Sequence, residues 1–153
     1  MAYQKLQVGT GVAVIPSDTV DIPNVSGPSQ SGTATGTTAN KLVDADGDFT
    51  NNLIGYIVYN TTDDTAAYVV SVDDDATLSL SADIMASGET YVLYADANLG
   101  CVLYVGNTGN LRVLTSGGAD LTFVGIPAGS FVPVQVKRVF ALGTTATDIL
   151  ALW

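Results

Sequence analysis

Histidine is absent from this 153-residue chain. With it go the usual general base near neutral pH, the proton shuttle and the commonest zinc ligand. One cysteine, Cys101, permits neither an internal disulfide nor a thiolate cluster. Its neighbours Val102 and Leu103 mark it as a small buried hydrophobe. Basic residues are scarce, five against fifteen acids, for a net charge of −10. Nothing would offset phosphate repulsion, so no nucleic-acid partner is expected. No stretch approaches the ~18 consecutive apolar residues of a membrane helix, so no membrane partner is expected either. With one lysine and no long apolar run before Pro16, the N-terminal stretch is not expected to be a signal peptide.

What is present is apolar and β-prone. Hydrophobic residues make up 47% and charged ones 13%, a balance that argues for a packed core rather than disorder. Threonine, valine and tyrosine suit pleated strands, and the 16 glycines suit the turns between them. The length fits one compact domain or two small ones. The acids are unevenly placed: eleven of the fifteen lie from Asp44 to Asp96, against one base, Lys41. Elsewhere Asp18, Asp21, Asp120 and Asp148 balance Lys5, Arg112, Lys137 and Arg138. This predicts a neutral body made of residues 1–29 and 99–153, with residues 30–98 inserted as an acidic module facing outward. Ser26–Thr33 and Ala95–Gly100 read as the linkers. The alternative is one continuous β domain with an acidic edge.

Period-two alternation sets the strands. In Thr77–Ser81, Asn110–Val113 and Asp120–Phe123 it sends apolar residues inward and polar ones outward. Tyr56–Tyr59, Ala67–Val70 and Cys101–Val105 are apolar on both faces, as in central strands or strands lying against a neighbouring subunit. Turns are expected at Asp63-Asp64, Asp73–Asp75, Gly106–Gly109 and Ser116–Gly118. The longest strand signal runs from Phe131 to Leu142. Val132, Val134 and Val136 share a face, but Val139 falls an odd step away, which calls for a bulge near Lys137-Arg138. Asp148–Trp153 reads as a terminal strand tied into a sheet or interface. No segment has sustained helical periodicity. The fold class is all-β: a small β-sandwich or barrel-like body with an inserted small acidic β module.

Few constellations carry chemistry. Asp44, Asp46 and Asp48 alternate in a way a hard cation could use, although the glycine and glutamate of an EF-hand loop are misplaced. They are weak metal candidates beside the reading as a solvated turn, and no cofactor is expected. Paired carboxylates for glycoside hydrolysis would need one acid with a raised pKa, yet nearly all these acids fall in turns. A serine or Cys101 nucleophile lacks a histidine partner. Asn24-Val25-Ser26 and Asn60-Thr61-Thr62 fit the glycosylation pattern only formally. The chain is not expected to be an enzyme. Lys137 and Arg138 could reach an acidic neighbouring surface or protect an edge strand by charge.

The segment Ile15-Pro16-Ser17-Asp18-Thr19, then Leu103–Leu111, resembles small virion structural proteins of tailed phages. Gly118–Phe123, Phe131–Val134, Val136–Val139 and Gly143–Trp153 extend the likeness, which is to head-decoration and head-spike-base proteins of phages and gene transfer agents. The insert resembles a module recurring in phage structural proteins through Asn40–Asp44 and Ile57–Asp63. Compact spike-base relatives lack such an insert. The resemblance implies a non-enzymatic capsid decoration (cement) protein that binds and stabilises the assembled head. Its partners would be the major capsid protein and itself, as a homo-oligomer, a trimer before a pentamer. It would sit on the outer capsid surface of the virion after synthesis in the host cytoplasm. Alternatives are a base or connector for a head spike, fibre or tail, and a carbohydrate- or calcium-binding β module. Tyr3, Leu6, Lys137, Arg138 and Trp153 are the expected contact residues. Residues 1–8 are expected to form an arm that adds a strand to a neighbouring edge.

Overall fold

The computed structural model describes residues 8–153. Strand accounts for 51% of residues and helix for 2%, in two antiparallel sheets, one of them a curled half-barrel. The chain is therefore all-β, as the alternation predicts. In chain order the strands are β1 (Gly11–Ala13), β2 (Ser29–Thr33), β3 (Lys41–Val43), β4 (Ile57–Asn60), β5 (Thr65–Asp74), β6 (Thr77–Leu80), β7 (Thr90–Tyr94), β8 (Cys101–Asn107), β9 (Gly109–Thr115), β10 (Asp120–Ile126), β11 (Ser130–Val139) and β12 (Thr147–Leu152).

Sequence position divides the strands cleanly. The first sheet has the order β1-β12-β8-β11-β9-β10, and the second, built wholly from residues 29–94, has the order β2-β7-β4-β5-β6-β3. Each has its own core. Leu103, Val105, Leu111, Val113, Val132 and Val136 fill the first, and Leu42, Val58, Leu78, Tyr91 and Leu93 belong to the second. A third apolar layer lies between the sheets, where Ile57 and Tyr59 of β4 pack with Ile15 and Val20. Strand β4 is apolar on both faces because both are covered within the chain: Val58 faces one core, and Ile57 and Tyr59 face the other sheet.

The passages between the sheets run side by side. Pro23 bridges Ala97, and the Asn24 N–H donates to the Asp96 carbonyl at 2.7 Å. Asn98, 1% exposed, closes the joint by donating its side-chain amide to the carbonyls of Ile22 at 2.7 Å and Lys137 at 3.1 Å. Strand β11 changes partner midway, pairing with β8 up to Val136 and with β9 beyond it. The register slips between Val136 and Arg138, which is the bulge that the odd valine step requires. Gly109 makes the corner after β8 possible, since a Cβ there would lie 2.4 Å from the backbone nitrogen of Ala146.

Three local expectations are corrected. Residues 29–33, read as linker, form edge strand β2 against β7. They carry no apolar pattern because Gly32 leaves its inward space to the Tyr91 phenol, whose oxygen would sit 2.5 Å from a Cβ. Asp73 and Asp74 continue β5, with the turn at Asp75-Ala76. Lys41 Nζ lies 2.5 Å from the Asp73 carboxylate, so this acid is anchored across strands. Leu121 does not point into a core: β10 is an edge strand, with Leu121 40% and Val124 79% exposed.

Candidate interaction surface

Asp44 is buried and accepts the Tyr91 hydroxyl at 2.7 Å, with its second oxygen taking the Asp46 N–H at 3.1 Å. Asp46 and Asp48 are exposed. Among the described residues no three Asp, Glu or Cys side chains converge as cation ligands. The alternation at Asp44, Asp46 and Asp48 thus serves a buried hydrogen bond and two solvated turn positions. Burial and the Asp44 carboxylate together push the Tyr91 phenol well above its ordinary range, so it stays a donor.

A second polar cluster organises the loops of the acidic sheet. Asn60 is fully buried, so the sequon it opens presents no accessible amide. Its side-chain nitrogen donates to the Ile84 carbonyl at 2.6 Å and to Glu89 at 2.9 Å, while its oxygen accepts the N–H groups of Thr62 and Asp63. Glu89 also accepts the Ala86 N–H at 2.6 Å, which holds its carboxyl below the usual range. Asp63 hydrogen-bonds Glu89 and, beside that charge, its own carboxyl is raised. Exposed Asp63 and half-buried Glu89 therefore titrate as a linked pair, with Asp63 the one that holds a proton more readily.

Burial pushes the Cys101 thiol up to about 12, and its S–H donates to the Val136 carbonyl at 3.2 Å. It is an inert core residue, as its neighbours predict.

Of the expected contact residues, Tyr3 and Leu6 lie outside the described residues, as do residues 1–7 of the expected arm. Lys137 and Arg138 turn onto one acid of the same chain. Arg138 Nε lies 2.8 Å from the Asp21 carboxylate and Lys137 Nζ 4.0 Å from it. The bulge explains why these adjacent side chains share a partner. β11 is interior, so they protect no edge. Trp153 packs against the first core, and its carbonyl accepts the Gly9 N–H at 2.5 Å.

A partly exposed apolar row lies on the outer face of the first sheet. Ala13 pairs with Leu150, Leu150 with Tyr104, and Tyr104 with Phe131, so these four side chains form one row across β1, β12, β8 and β11. The Tyr104 and Phe131 rings meet edge to face, 5.4 Å between centroids. Leu152 opposes Val102 in a second row, and Val102 lines a shallow hollow with Phe131 and Pro133. Phe131 remains 58% and Leu150 40% exposed. No charged side chain occurs among these seven positions, and apolar faces of this kind mark interaction sites. The signal was visible in Cys101–Val105, apolar on both faces: Leu103 and Val105 enter the core, whereas Val102 and Tyr104 point the other way and stay half-buried.

No protein-family model matches the chain, and no curated protein matches it in sequence.

Two substitutions test the polar clusters. Tyr91→Phe leaves the buried Asp44 carboxylate short of a donor and should cost about 1–3 kcal/mol in urea unfolding. An unchanged midpoint would show that Asp44 finds another donor. Asp63→Asn supplies Glu89 with an N–H at every pH. In the unsubstituted chain the raised Asp63 favours the folded state only while protonated, and that contribution fades as pH rises through its folded pKa. The variant should therefore melt higher than the parent at pH 7, with the difference shrinking as pH falls into the carboxylate range. A lower melting temperature at pH 7 would contradict this linked titration.

Proposed function

We propose that the protein is a non-enzymatic decoration (cement) protein of a tailed-phage head. The supporting observation is the uncharged row of Leu150, Tyr104 and Phe131 on the outer face, together with a net charge of −10 confined to residues 30–98. An apolar, neutral face suits close docking because desolvating it costs little. An acidic sheet carried on the same chain suits the solvent side, where its charge keeps particles apart. The sequence resemblance to head-decoration and spike-base proteins gives the reading its object, the major capsid protein.

Stabilisation follows from linkage. A protein that binds only the assembled shell lowers the free energy of that state by an amount set by its affinity and concentration. Copies would also associate with one another around lattice symmetry axes, as a trimer before a pentamer. The insert distinguishes the chain from compact spike bases and gives it a body for lattice contact and a separate acidic surface.

Phe131→Asp tests the docking face directly. Phe131 is more than half exposed, so the fold tolerates the change, while a charge there opposes apolar burial worth about 1.5–3 kcal/mol. Purified protein should cosediment with shells lacking it and raise their melting temperature. The variant should bind at least about tenfold more weakly. Equal binding by both proteins would reject this face, and failure of the unsubstituted protein to bind shells would reject the function.

A further inference from the structure

A cleft of about 500 Å³ opens where the β4–β5 hairpin of the acidic sheet overhangs β1 and β12 of the first sheet. Its walls are mostly apolar, with Ile15, Pro16, Tyr104 and Leu150 among them, and two acids also line it: Asp64 from the hairpin and Asp148 from β12. An apolar hollow of this size at the seam of two sheets has the usual form of a binding site.

Its charge is unbalanced. No basic residue lines the cleft, and neither aspartate has a cationic partner among the described residues. Asp148 receives a hydrogen bond from the Asn107 side-chain amide, a neutral donor. We infer that the cleft receives a partner-protein segment in which a lysine or arginine is flanked by apolar residues, its cation meeting Asp64 and Asp148.

The described surface of a second copy does not supply that cation. Lys41 is bound to Asp73 at 2.5 Å, Arg112 to Asp120 at 2.7 Å and Arg138 to Asp21 at 2.8 Å, with Lys137 on the same Asp21 at 4.0 Å. Every described base is thus engaged within its own chain. Lys5 lies outside the described residues, and its segment is separated from the partner by experiment. The cleft shares Ala13, Tyr104 and Leu150 with the proposed docking face, and its test needs no capsid.

The test is a titration of the full ¹⁵N-labelled chain with acetyl-Val-Lys-Val-amide and, separately, acetyl-Val-Glu-Val-amide, followed by amide chemical shifts. The lysyl peptide should give saturable shifts at Ala13, Gly106 and Leu150 that weaken with added salt, and the glutamyl peptide should give none. Asp64→Asn and Asp148→Asn should each weaken binding about threefold, the range of a partly shielded ion pair. The Gly32 amide, in the opposite sheet's far edge strand, should stay still. Absence of saturable shifts, equal shifts with both peptides, or shifts centred elsewhere would overturn the inference. So would binding seen only after removal of residues 1–7, which would make that segment the cleft's own occupant.

Discussion

The apolar layer of Ile15, Val20, Ile57 and Tyr59 is the contact on which the two-sheet arrangement depends. Each sheet already has a core, so without this layer they would be joined chiefly by the paired passages at residues 22–28 and 95–98. The layer sets one sheet against the segment that follows β1 in the other. Tyr68 adds a directional contact, its hydroxyl oxygen accepting the Asp21 N–H at 3.1 Å. Asp21 in turn holds Arg138 and Lys137, so the seam between sheets and the bulge of β11 share one residue. Asn98 ties the same region through the carbonyls of Ile22 and Lys137.

This seam allows a division of labour that one sheet could not provide. In the proposed decoration role a docking face must give up water cheaply, which favours the neutral row across β1, β12, β8 and β11. A solvent-facing surface benefits from repulsion, which favours the acids of residues 30–98. Placed on one sheet, the acids would be drawn into contact with the partner or would hold it away. On separate sheets each surface keeps its own electrostatics, and the cleft is where the two meet.

Legibility in the sequence followed the range of the interaction. Strands β6 and β9 were readable because alternation is a local signal, β4 because its apolar run is continuous, and the β11 bulge followed from a single odd step between valines. Strand β2 was hidden, since Ser29–Thr33 packs through a glycine and backbone pairing rather than an apolar face. The role of Asp44 was equally hidden, its partner Tyr91 lying 47 positions away. Arg138 finds Asp21 across 117 positions, which no spacing argument reaches. The apolar row was half visible. Cys101–Val105 announced two apolar sides, and only the three-dimensional arrangement shows which of them is left partly exposed.

The most direct test of a lattice-wide decoration role is the copy number of this protein in purified particles, measured by quantitative mass spectrometry against the major shell protein. Decoration of the whole lattice predicts a ratio near parity. A ratio far below parity would place the protein at vertices or on the tail, and its absence from particles would contradict the proposed function outright.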